Sequence, residues 1–417
     1  MHRGANNLSH YKILDINNFL CGMKNMIDKK IIVAGEDLTP FSGEALEAAR
    51  GFAEWLLAVQ FPEDQNAAES GTFLGSSGPS NGQLRACNWN LAFASMGLMA
   101  AYHHFGDERY RAGALRMARY LKTLQIFSPF LKEHYGSFRE MTPQTPWCFV
   151  RDAASAAWGM LELYRETGEN EYLERAILWY KWFRKKGMDD KGWPLWGVQF
   201  EPGFDGCFNR IAINNELHGS FHGGSLNLFY QLYKTTGDKE FVGDFYLRMA
   251  EIFINNIQQE DGFFHNVEAA TGKMALNDPQ NGLHRGNDDL GTLGLIGVWR
   301  LTQDERYISA IRRFFNAVFA KQATDGSVEA SCAPDPVLLN AVYEASALPD
   351  SWNPPEGALS GLLRHLFSRR INAPSQHRMH GGLNEFGDGW IYSRSVCYSL
   401  IVLLKIFGRG GDYLSAR

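Results

Sequence analysis

The chain has 417 residues, 45% of them hydrophobic and 21% charged, a composition that excludes a disordered chain and fits an ordinary globular protein. Forty-one basic against 46 acidic side chains leave a net charge of −5, which excludes a polyanion binder acting through bulk charge. No run of 18 apolar residues offers a membrane span.

The first twenty residues hold no apolar run followed by a small-residue cleavage site, so the expected compartment is the cytoplasm. Six scattered cysteines (Cys21, Cys87, Cys148, Cys207, Cys332 and Cys397) form no CxxC pair and are expected as reduced thiols. Residues 1–40 lie outside the internal repeat and are expected to pack on a single domain spanning 41–417.

That repeat sets the fold. Six segments place a glycine just before an aromatic or β-branched residue: Gly71, Gly136, Gly192, Gly262, Gly326 and Gly389, spaced by 65, 56, 70, 64 and 63 residues. Between them recurs a tight turn leading into an acidic helix start, at 105–110, 167–172, 236–241 and 302–307. Glycine after a helix and acids in the next first turn are stop and start signals.

In chain order, amphipathic outer helices are predicted near 44–60, 108–124, 170–186, 239–257, 305–322 and 357–371. Helices rich in small residues, which permit close approach, are predicted near 89–104, 152–166, 222–235, 288–301, 336–347 and 393–407. Six and six close a ring. The expected architecture is all-α, an (α/α)6 toroid of six helical hairpins with Gly-led β-hairpins on one rim. An open α-solenoid is the competing architecture, but its usual repeats are shorter than these.

In such a ring the inner-helix N-termini converge on one end of the central cavity, where anionic groups are stabilised. The candidates there are Arg85, Asn88, Trp89 and Asn90; Arg151 and Asp152; His218 and His222; His284, Arg285, Asp288 and Asp289; Asp335; and Tyr392 and Arg394. Asp152 reads either as a helix N-cap or as a general acid or base. One of Asp288 and Asp289 is expected to cap its helix and the other to supply a second carboxylate, the pairing that glycosidic hydrolysis needs.

His218 and His222, four apart, are candidate catalytic or substrate-contacting groups; no third ligand stands at a metal spacing, so no metal and no cofactor are assigned. Arg151, Arg285 and Arg394 would clamp the carboxylate of an acidic sugar. Trp89, Trp193, Trp196 and Trp390 beside the hairpins are sugar-stacking candidates.

Over roughly 85–325 the pattern resembles the six-hairpin glycosidase superfamily, and within it the unsaturated glucuronyl hydrolases. NLAFASMGLMAAYHHFGDERY and RDAASAAWGMLELYRETGENEY are similar to its second and third helix pairs. The resemblance implies catalysis by two aspartates, one falling on Asp152 and the other on Asn90, which cannot titrate. The family's Arg-Gly-Gln-Ala-Trp signature is replaced by His222, Gly223, Gly224, Ser225 and Leu226.

The expected function is glycoside hydrolysis of a short, uronic-acid-containing oligosaccharide, with a saccharide as the partner and no nucleic acid. The alternatives are a uronate lyase or C5-epimerase working through Tyr392, His218 and His222 with Asn90 and Arg394, and a non-catalytic saccharide-binding protein.

Overall fold

The computed structural model describes residues 30–61, 68–78, 85–189, 193–200, 216–217, 219–265, 267–268, 288–349 and 352–417. Twelve α-helices lie among the described residues: α1 (Ser42–Ala58), α2 (Asn88–Phe105), α3 (Glu108–Thr123), α4 (Val150–Thr167), α5 (Asn170–Lys186), α6 (Gly219–Thr236), α7 (Asp244–Ile252), α8 (Asp288–Thr302), α9 (Glu305–Phe319), α10 (Pro334–Ala345), α11 (Ala358–Ser368) and α12 (Ser393–Phe407).

Their boundaries follow from the stop and start residues. Gly106, Gly168 and Gly237 take left-handed backbone after α2, α4 and α6. Asp107 and Asp304 then accept the Arg109 and Arg306 N–H groups at the starts of α3 and α9. One helix is shorter than expected. Residues 239–257 divide into a 3-10 turn (Lys239–Val242), α7 and one π-turn (Phe253–Ile257), because Gly243 is extended and interrupts the helix.

Each even-numbered helix packs on its even-numbered neighbours, and α12 returns to α2, so the inner ring closes and the open solenoid is excluded. The odd-numbered helices form the outer ring, each on the inner helix before it and α1 on α12. Small residues make the inner contacts close: a Cβ at Gly159 of α4 would come within 2.7 Å of the Ala92 Cβ on α2. Along α2 every residue from Asn88 to Ala101 is buried.

The Gly-led hairpins latch onto the outer ring. Gly71, Gly136, Gly262 and Gly326 all have φ between +91° and +96°, and their α-carbons press on the backbone of α3, α5, α9 and α11. The sixth such glycine is Gly381, at φ +81° against Gly51 of α1, and not the expected Gly389, which lies in a separate turn eight residues later. Gly192 lies outside the described residues. A glutamine accompanies four of these glycines, buried at Gln60, Gln125 and Gln258 and half-buried at Gln322. The Gln125 amide, for example, donates at 2.9 Å both to the Gly136 carbonyl and to the Arg175 carbonyl of α5.

Three two-stranded ladders stitch the rim: β3 (Ser76–Ser77) with β8 (Ile391–Tyr392), β4 (Trp147–Phe149) with β5 (Gly197–Gln199), and β6 (Glu216–Leu217) with β7 (Val267–Glu268), all antiparallel. A further pair, β1 (Ile32–Val33) with β2 (Glu36–Asp37), docks on the outer ring, where Glu36 accepts the Leu359 and Ser360 N–H groups at the start of α11.

The opposite end of the ring is plugged. Residues 413–416 are buried among the C-terminal halves of inner helices, with the Ser415 carbonyl accepting from Asn227 and Gln231 and the Leu414 carbonyl from Asn340 and Lys405. Among the described residues, the end where the inner helices finish is therefore closed by the chain's own C-terminal residues. No helix among the described residues is long and apolar enough to cross a membrane. Cys87, Cys148, Cys332 and Cys397 are free thiols.

Candidate functional site

The starts of α2 and α4 form one cluster. Asp152 is the third residue of α4, and the cap position belongs to Phe149, so the N-cap reading of Asp152 does not hold. Its carboxylate is 5% exposed, and Oδ1 accepts from Arg151 Nη1 at 2.7 Å. The Arg151 guanidinium in turn lies 5.1 Å from the Trp89 ring centroid, so Trp89 carries a cation on its face.

Asn88 is fully buried, its amide donating to the Arg139 carbonyl at 3.1 Å. Asn90 is engaged as well: its Oδ1 accepts from the Cys87 thiol at 2.8 Å and the Cys87 backbone N–H at 3.3 Å, closing the first turn of α2.

The group missed by sequence reasoning is Glu140. It follows Gly136 by four residues, and its backbone carbonyl accepts the Asn88 N–H at 2.7 Å. Its side chain, 2% exposed, accepts the Phe149 N–H at 2.9 Å and shares a hydrogen bond with Asp152. Cys87 Sγ and one carboxylate oxygen each of Glu140 and Asp152 lie within 4.8 Å of one another. Burial, and then the Asp152 charge, push the Glu140 carboxyl well above the ordinary carboxylate range.

These three side chains are also the donors a metal ion would use. An arginine already sits on Asp152, however, and the Cys87 thiol donates to Asn90 Oδ1, so both side chains are engaged within the protein. Two buried carboxyl groups in contact, with one guanidinium on the pair, are able to share a proton.

A second cluster stands at the start of α12. Glu385, fully buried, accepts from Arg394 through both carboxylate oxygens, the Nε contact being 2.9 Å. It also accepts from Ser395 and, at 3.1 Å, from Ser331. Arg394 therefore commits its guanidinium to Glu385 and is not the open carboxylate clamp expected of it. Tyr392 packs edge-on to Phe386 with centroids 5.7 Å apart, and the Trp390 ring covers Gly78.

The remaining candidates are dispersed. Arg85 pairs with Glu69. Trp193 and Trp196 are half-buried, and the Trp196 carbonyl accepts the Val150 N–H at the start of α4. Asp335 is buried against His365 of α11, Oδ2 to Nδ1 2.8 Å, and burial pushes its carboxyl up to about 7. Asp288 and Asp289 open α8, and His222 is the fourth residue of α6. His218, His284 and Arg285 lie outside the described residues.

Comparison with solved structures matches the overall fold. A glycoside hydrolase family 76 mannosidase from Bacteroides thetaiotaomicron superposes with a TM-score of 0.64 at 12% identity, over 87% of this chain and 99% of that one. The shared fold is the (α/α)6 toroid. Cellobiose 2-epimerase from Bacillus thermoamylovorans gives a TM-score of 0.60 at 13% identity over 92% of this chain and 98% of the epimerase. An unsaturated glucuronyl hydrolase specific for heparin gives 0.59 at 14% over 87% and 96%. No family model and no curated protein matches the sequence.

Proposed function

We propose that the protein is a carbohydrate-active enzyme, a glycoside hydrolase acting on a short oligosaccharide at the end of the toroid where the inner helices begin. The observation that carries this reading is the buried Asp152–Glu140 pair with Arg151 on it, standing where inner helices begin in a ring whose other end is plugged. Asp152 is the acid/base.

Glu140 is in hydrogen-bond contact with Asp152, whereas the two carboxyls that work on a glycosidic bond stand roughly 5–9.5 Å apart. Glu140 is thus a partner of Asp152, and the second catalytic carboxylate is assigned to Asp288 or Asp289 at the start of α8. Selection of a uronate rests on Arg285, because Arg394 is held by Glu385 and Arg151 by Asp152. The lyase or C5-epimerase reading requires Asn90 and Arg394 to neutralise a sugar carboxylate, and both are engaged within the protein, which favours hydrolysis.

The test is turnover on a panel of neutral and unsaturated uronate oligosaccharides. Hydrolysis yields new reducing ends with no new ultraviolet absorbance; a lyase acting on a saturated uronate would add absorbance, and an epimerase would take up deuterium without cleavage. Asp152→Asn keeps the size and hydrogen bonding and is expected to lower kcat by about 100-fold or more, the usual worth of a positioned acid or base. Binding with no turnover on any member, or an unchanged rate per folded molecule in the variant, contradicts the reading.

A further inference from the structure

Two buried carboxyl groups meet at the start of α4 with one guanidinium in contact. Arg151 reaches Asp152 at 2.7 Å; Glu140 has the Phe149 N–H at 2.9 Å and Asp152 itself. The titratable and charged groups around Glu140, among the described residues, are Cys87 at the start of α2, Cys148 on β4, and Arg151 and Asp152 on α4. Both thiols are pushed well up by burial and bring no compensating charge. Two buried carboxylates in contact resist ionising together when Arg151 is the one cation paired with them among the described residues.

We propose that Glu140 is a positioning residue for Asp152: it stands as a neutral carboxylic acid whose O–H donates to the Asp152 carboxylate. The pair then holds one proton, Arg151 balances the one remaining charge, and Asp152 is kept as an ionised, oriented acceptor until a substrate proton arrives. The balance is closed within the pair, since a proton taken up by Asp152 is the only one gained and Glu140 keeps its own. The Asp152 half of this inference rests on the catalytic reading above; the protonation of Glu140 does not depend on any sugar.

The direction of the pH effect follows. A glutamate neutral in the folded protein but titrating near 4.5 when unfolded makes folding take up a proton. Its stabilising contribution is complete below that pH and is lost as pH rises toward the folded-state value.

The experiment is urea unfolding of the full chain from pH 4 to 9 for the wild type, Glu140→Gln and Asp152→Asn. Glutamine keeps the shape, accepts the Phe149 N–H and donates to Asp152, but has no proton to lose. The fall in unfolding midpoint between pH 5 and pH 8 is expected to shrink by about half or more in Glu140→Gln. In Asp152→Asn, which removes the neighbouring charge that pushes Glu140 up, the fall is expected to be smaller and to end at lower pH.

Where turnover is measured, Glu140→Gln retains kcat within about threefold and Glu140→Leu loses about 30-fold or more, so that rescue by the conservative variant separates positioning from packing. Parallel stability–pH curves for wild type and both polar variants overturn the protonation of Glu140, whatever the substrate proves to be. A Glu140→Gln loss as deep as that of Asp152→Asn overturns the positioning role and makes Glu140 the acid itself.

Discussion

Gly136 and Gly381 each hold a left-handed turn against the middle of an outer helix, and each is followed four residues later by a buried glutamate. The two hairpins are built alike. The Glu140 carbonyl accepts the Asn88 N–H and the Glu385 carbonyl the Cys332 N–H, so each glutamate is tied to the preceding inner segment while its side chain reaches the next inner helix. The residues it meets there differ at one position: Arg151 and Asp152 on α4, Arg394 and Ser395 on α12.

With serine third, Glu385 receives both arginine nitrogens and two hydroxyls, and the site is a closed ion pair. With aspartate third, the arginine goes to the aspartate and the glutamate is left to share a proton. One scaffold thus yields a structural lock in one unit and a proton-handling pair in another, through a single side chain.

The comparison can be broken at its arginines. Arg394→Met strands the fully buried Glu385 carboxylate with only serine donors and is expected to cost about 3–5 kcal/mol in urea unfolding at pH 7. Arg151→Met is expected to cost less, about 1–3 kcal/mol at pH 7, and still less at pH 5, because the Glu140–Asp152 pair is able to take a second proton. Equal costs for the two variants, or a pH-independent cost for Arg151→Met, would show that both hairpins are plain ion pairs.

Much of the ring was legible because its signals are local. Gly106 and Gly168 end helices, Asp107 and Asp304 begin them, and small residues such as Gly159 and Ala92 mark the inner contacts. The last hairpin was misread because Gly389, ahead of Trp390, copies the glycine–aromatic pattern, while Gly381 is followed by Gly382 and Leu383. What distinguishes them is contact with α1, which is not a local property.

Asp152 was found from its place at a helix start. Glu140 was not, since it lies on the hairpin before β4 and approaches Asp152 only through the turn at Gly136. A signal did exist: a glutamate four residues after the glycine in both HYGSFRE and HGGLNEF. The engagement of Asn90 by Cys87 and of Arg394 by Glu385 was invisible for the same reason, each being a pairing set by three-dimensional approach or by cap geometry.

The claim that the two glutamates differ in charge is tested most directly by carboxyl carbon NMR of glutamate-labelled protein at pH 7. The resonance that disappears in Glu140→Gln is expected at the position of a neutral carboxylic acid, and the one that disappears in Glu385→Gln at that of a carboxylate. Two carboxylate resonances would contradict the account.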